Sequence, residues 1–142
     1  MDKPNIRMYS ATHTGRVGEF FAMYVLERCG IECHHVDRSG VDLWCQTGNE
    51  DMFTLQVKSA NLSKIKKKAG SKPLLRYVFN LQSEKVADFY MFIALDIQKA
   101  IIMQTKELGQ KKCLQLHPNK FTDEAEQAGL DSLHNFRRAD LK

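Results

Sequence analysis

The stretch FTLQVKSAN, residues 53–61, alternates apolar and polar side chains. Phe53, Leu55 and Val57 recur at period two, the mark of a β-strand with one face on a core, so Thr54, Gln56 and Lys58 share the opposite face. A lysine two residues after an amide is either solvated strand polarity or part of a site completed from elsewhere in the chain. The choice depends on what the neighbouring elements bring to that face.

Upstream, VDLWCQ (Val41–Gln46) also alternates, and the polar TGNED at 47–51 is a connection of hairpin type, so the two strands are expected to pair. IECHHVD at 31–37 reads as a further short strand that turns at Arg38, Ser39 and Gly40. Before it, residues 15–30 have helical spacing, with Val17, Phe20, Phe21, Tyr24, Val25 and Leu26 as an apolar stripe. Thr14 is the expected N-cap and Gly30 the C-terminal stop. The chain therefore opens helix, strand, strand, strand.

Downstream, the lysine-rich segment after Asn61 reads as a loop or short helix, and RYVFNL at 76–81 is strand-like. FYMFIALD at 89–96 is almost wholly apolar, as in a strand buried on both faces. KAIIMQ at 99–104 is expected to pair with it across an Ile97-Gln98 turn. After a loop containing Pro118, residues 122–136 look helical, with Ala125, Ala128, Leu133 and Phe136 as a modest apolar face. No repeat, low-complexity stretch or linker interrupts the chain. The expected class is α/β (α+β), one domain around a central mixed sheet with flanking helices.

The bulk composition agrees. A chain of 142 residues is sized for one domain with a core, and 43% hydrophobic with 27% charged residues is ordinary for a soluble globular protein. No apolar run approaches the ~18 residues of a membrane span. MDKPNIRMYS at 1–10 lacks the apolar stretch of a signal peptide, so a cytoplasmic protein that uses no membrane is expected. Without secretion signals, Cys29, Cys33, Cys45 and Cys113 are expected to be reduced. A zinc site from Cys29, Cys33 and Cys45 with His34 or His35 has no paired CxxC and matches no standard spacing, so buried thiols are the preferred reading. The net charge of +4 is small, but Lys64, Lys66, Lys67, Lys68, Lys72 and Arg76 fall within thirteen positions. Such a cluster is either a footprint for phosphates or a loop kept soluble by lysines.

If the strands at 41–46 and 53–61 form a hairpin, Asp42 lies beside Gln56 and Lys58 near one end of the sheet. Glu19 sits at the edge of the helical stripe, where a carboxylate needs a partner because burying one alone is costly. Two carboxylates and an amide oxygen are hard ligands, suited to Mg²⁺ or Mn²⁺. Such a cation can activate water and polarise a phosphodiester, and an adjacent ammonium can stabilise the charge that develops on the phosphoryl group. No nucleophile-elbow pattern surrounds Ser39, and GRVGE lacks the GK[ST] ending of a phosphate-binding loop.

The order Glu19, then VDLW with Asp42, then QVK with Gln56 and Lys58 resembles the PD-(D/E)xK nuclease superfamily. GRVGEFFAMYVLERCGIE is similar to the first helix of its small members, the archaeal-type Holliday junction resolvases and the homing endonucleases of cyanobacterial introns. The resemblance covers residues 15–60 and extends loosely through RYVFNL and FYMFIALD. It implies a restriction-endonuclease-like core with an αβββ start and a Mg²⁺- or Mn²⁺-dependent DNA endonuclease of junction-resolving, homing or restriction type. Glu19, Asp42 and Gln56 become metal ligands, and Lys58 the catalytic lysine. Two departures stand out: Val41 replaces the motif proline, and Gln56 replaces a carboxylate.

An enzyme of this size would need a second subunit to cut both strands of a double-stranded or branched DNA, so a homodimer or higher homo-oligomer is expected. The strands at 89–96 and 99–104 or the last helix are candidates for that interface, although filling the protein's own core is the preferred reading for them. Arg16 and the cluster from Lys64 to Arg76 are the expected backbone-phosphate contacts. The alternatives are a catalytically inactive nuclease-like domain that binds nucleic acid, or an accessory subunit.

Overall fold

Strand Phe89–Ala94 is apolar at every position because both faces of the sheet it runs through are covered. The computed structural model describes residues 11–48, 50–65 and 69–141. The chain runs α1 (Ala11–Arg28), β1 (Glu32–Arg38), β2 (Val41–Gln46), β3 (Met52–Ala60), β4 (Ser63–Ile65), β5 (Leu74–Asn80), β6 (Phe89–Ala94), β7 (Lys99–Gln104), α2 (Thr105–Leu108), β8 (Cys113–Leu116) and α3 (Asp123–His134). The fold is mixed α+β with an αβββ start, and its helices flank a central mixed sheet. That sheet has the order β1-β2-β3-β6-β7, with β3 and β6 parallel and the other neighbours antiparallel. A smaller antiparallel sheet, β4-β5-β8, lies apart from it.

Period-two alternation divides the core into two. Phe89, Met91 and Ile93 join Leu43, Leu55 and Val57 beneath Ala22, Val25 and Leu26 of α1 and Leu130 and Leu133 of α3. Tyr90, Phe92 and Ala94 face the opposite way, against Tyr77 and Phe79 of β5 and Leu114 of β8. The result is a layer of helices, the five-stranded sheet, and the small sheet. On the helical side, Phe53, Phe89 and Phe136 meet edge-to-face at centroid separations of 5.3 to 5.6 Å. Strand β6 thus fills the protein's own core, as preferred from the sequence, whereas β7 fully buries only Ala100.

Four expectations need correction. Helix α1 begins at Ala11, so Thr14 lies inside it rather than capping it. Phe20 and Tyr24 are exposed at 60% and 59%, and the face that α1 buries is instead Gly18, Ala22, Val25 and Leu26. Small residues let the helix lie close on β3, while the two rings pair outward with Arg16 and Arg28 at 5.6 and 5.2 Å. In α3 the buried face is Gly129, Leu130 and Leu133, with Ala128 exposed. The lysine-rich segment begins as β4, an edge strand pairing with β5, while α2 and β8 were not anticipated. The Gly30 stop holds, ending α1 at φ 80°, and a helix does follow Pro118, with Thr122 as its cap accepting from the Ala125 N–H. Among the described residues no helix is long and apolar enough to cross a membrane.

Candidate active site

The β2–β3 ladder sets the register. Its pairs run from Gln46 with Met52 to Leu43 with Leu55 and end there, one residue short of Asp42. At that point the Asp42 side chain bonds to the neighbouring strand: its Oδ2 accepts the Val57 N–H at 2.8 Å. This bond fixes the carboxylate against β3, between the positions of Gln56 and Lys58.

Helix α1 crosses close above. A Cβ on Gly18 would stand 1.6 Å from Ser59 Oγ and 2.8 Å from Ser59 Cβ, so only glycine permits this approach without a shift. Glu19 follows directly, and its Oε1 is bonded to His35 Nε2 at 2.9 Å, which orients the carboxylate from β1. An open cleft of about 590 Å³ results, lined by Glu19, Asp42, Gln56 and Lys58 together with Thr12, Thr14, Ser59 and the β5 residues Val78, Phe79 and Asn80.

The electrostatics of the cleft are unbalanced. Burial pushes the Asp42 carboxyl above its ordinary value, the Val57 N–H bond opposes this, and the nearby Glu19 charge raises it again; Lys58 and His35 pull it down. Among the described residues, Gln56 Oε1 is buried without a hydrogen-bond partner. An orphaned amide oxygen beside two mutually repelling carboxylates is a set of hard oxygen donors with too little positive charge. These residues fit a hard divalent cation, which Glu19, Asp42 and Gln56 would hold. Among the described residues no three His, Cys, Asp or Glu side chains gather as a metal cluster, and here the third donor is an amide.

The basic residues are placed differently. Arg16 lines a second cavity that shares Glu19 and Thr12 with the cleft. Lys64 on β4 and Lys72 are exposed, and Arg76 on β5 donates from Nη1 to the Leu75 carbonyl at 2.7 Å. None of these four lines the cleft, although Arg76 lies two residues before its wall at Val78. Lys66, Lys67 and Lys68 lie outside the described residues. The cysteines are free thiols: Cys33 and Cys45 are buried register partners across β1 and β2, while His34 is exposed and paired with Glu32. Burial pushes the Cys33 thiol up to about 12 and the Cys45 thiol higher still.

Sequence reasoning did not bring Ser59, Thr12 or Asn80 to the cleft, and it weighed His35 only as a zinc ligand. His35 had a local signal, a histidine in a strand next to the β2–β3 hairpin, but nothing in the chain order ties it to a helix residue sixteen positions earlier.

The fold is that of a known nuclease. Among solved structures, a bacterial homing endonuclease, I-Ssp6803I, matches over 91% of this chain and 100% of its own, with a TM-score of 0.59 and 16% sequence identity. No protein-family model and no curated protein sequence matches the chain. At that identity the likeness is one of fold.

Proposed function

We propose that this protein is a Mg²⁺- or Mn²⁺-dependent DNA endonuclease of the PD-(D/E)xK type, forming one domain and working as a homodimer or higher homo-oligomer. The observation that carries this reading is the convergence of Glu19, Asp42, Gln56 and Lys58 on one cleft, with Gln56 Oε1 unpartnered there among the described residues. Likeness of fold to a bacterial homing endonuclease supports it.

The bound cation would supply a polarised phosphodiester and a water of lowered pKa. The chain's own groups do the rest. Asp42 is held against the Val57 N–H, and Glu19 is held by His35, so the two carboxylates are already oriented to hold the cation. Gln56 adds a neutral oxygen in place of a third charge, which lowers the affinity of the ligand set for the cation without removing it. Lys58 donates to the phosphoryl oxygens as charge builds on them. Arg16, Lys64, Lys72 and Arg76 contact backbone phosphates on either side.

The test is nicking of supercoiled plasmid, and cutting of a four-way junction, with Mg²⁺, with Mn²⁺ and with EDTA. Metal-dependent cleavage that Asp42→Ala abolishes supports the reading. DNA binding without cleavage in either metal would instead favour the inactive DNA-binding domain, for which the Gln56 replacement is the specific argument.

A further inference from the structure

The cavity on the far side of Glu19 has no role in the chemistry described above. It measures about 700 Å³ and is lined by Thr12, Arg16, Glu19, Phe20, Met23 and His35. Two of these, Glu19 and Thr12, also line the proposed metal cleft, so Glu19 forms a ridge between the two spaces. Phe20 is 60% exposed on a helix whose buried face is made of other residues. The Arg16 guanidinium lies over its ring at 5.6 Å, which steadies the ring and puts a cation at the cavity wall. His35, 58% exposed at its side chain, closes another wall while bonded to Glu19.

An exposed aromatic ring, backed by arginine and set beside a phosphodiester-cleaving centre, has the parts of a base-stacking platform. Any nucleobase offers a π-face to Phe20, and the phosphate that accompanies it meets Arg16. The volume falls within the roughly 300–1,000 Å³ of small-ligand sites, enough for a base that has left its stack. Arg16 supplies the positive charge of the lining, and Glu19, its carboxylate, is the group a cation in the neighbouring cleft would neutralise.

We propose that this cavity receives an unstacked nucleobase next to the scissile phosphate, so that the enzyme selects DNA carrying an unpaired or distorted nucleotide at the cut. The inference rests on the nuclease reading of the neighbouring cleft. Unstacking costs least where the base is already unpaired, and a pocket that pays back through stacking then discriminates in favour of such sites. Duplex DNA with all bases stacked leaves the cavity empty and gains nothing from Phe20.

The experiment measures binding without cleavage, in Ca²⁺, of a duplex and of the same duplex with a one-nucleotide bulge. Wild type should prefer the bulged DNA by at least tenfold. Phe20→Leu, which keeps apolar volume but not the ring, should reduce that ratio about tenfold, and Phe20→Trp should keep it. Because Phe20 is mostly exposed, both variants should retain the wild-type melting temperature. Equal binding of the two DNAs by wild type, or equal loss on both in Phe20→Leu, overturns the inference. So does a Phe20→Leu protein that keeps the preference but dissociates to smaller oligomers, because the ring would then serve a second copy of the chain. The nuclease reading fails separately: wild type that prefers bulged DNA but cuts none in Mg²⁺ or Mn²⁺ contradicts the chemistry and not the stacking site.

Discussion

Ser59 Oγ lies 1.6 Å from the point where a Cβ on Gly18 would stand. Rotating the serine hydroxyl would relieve that clash but not the 2.8 Å contact to Ser59 Cβ, so any side chain at position 18 must move α1 off β3. Glu19 moves with the helix. Misplacing a catalytic group by ~1 Å can cost on the order of a hundredfold in rate. Gly18→Ala is therefore expected to fold, to need much higher Mg²⁺, and to cleave about a hundredfold more slowly. Gly18→Ala with Ser59→Gly removes the obstructing atoms and should recover most of that loss. Steady-state rates across a Mg²⁺ titration check this, and a single variant with wild-type Mg²⁺ dependence would contradict it.

The Asp42 carboxyl is held above its ordinary value, first by burial and then by Glu19. A raised folded-state pKa means that the folded protein favours the neutral acid. Its cost to stability is absent below the unfolded value of about 3.9 and appears as pH rises through the shifted one. Asp42→Asn keeps an oxygen for the Val57 N–H and removes the charge, so at pH 7 the metal-free variant should melt higher than wild type while losing cleavage. Added Mn²⁺ should raise the wild-type melting temperature and leave that of the variant unchanged. Thermal melts at pH 4 and pH 7 decide, because the gain should be largely gone at the lower pH.

Much of this site is legible in the sequence for one reason: strand parity. Alternation puts Gln56 and Lys58 on one face of β3, and a short polar connection forces the hairpin that sets Asp42 beside them. The same parity explains why β6 reads as buried on both sides. What could not be read depends on how elements pack. Helical spacing alone favoured the bulky Phe20 and Tyr24 as core, whereas the close contact of Gly18 with Ser59 selects the face with small residues. The edge strands β4 and β8 and the single turn α2 are three to four residues long, too short for any period to show. The pairing of His35 with Glu19 joins β1 to α1 across the sheet, and no local pattern encodes it.

Lys64, Lys72 and Arg76 stand outside the cleft, so their expected part is to hold DNA rather than to cut it. Replacing all three by alanine should weaken binding and flatten the slope of log K against log salt by about one unit for each lost phosphate contact. Fluorescence anisotropy across a salt series measures this slope. An unchanged slope would leave these residues to solubility alone.

The thiols of Cys33 and Cys45 are buried, with the Cys33 value pushed up to about 12. Only thiolates react quickly, so at pH 8 an alkylating reagent should label exposed Cys113 first and reach Cys33 and Cys45 only on unfolding. Stability contributed by these neutral buried thiols is present below the unfolded value of roughly 8.5 and is lost as pH climbs toward the folded one. Mass spectrometry after timed labelling gives the order, and early labelling of Cys45 would contradict the burial.

Lys58 shares the cleft with Glu19, Asp42 and Gln56, and its charge is near enough to pull the Asp42 carboxyl down. Its assigned part is to stabilise the phosphoryl charge of the transition state, which predicts a loss in rate and little loss in binding. The direct measurement is single-turnover cleavage of DNA in Mg²⁺ by wild type and by Lys58→Ala. The expected result is a fall of on the order of a hundredfold or more, with DNA affinity in Ca²⁺ and the melting temperature nearly unchanged. A Lys58→Ala protein that cuts as fast as wild type would contradict the account, and Lys58 would then be ordinary strand polarity.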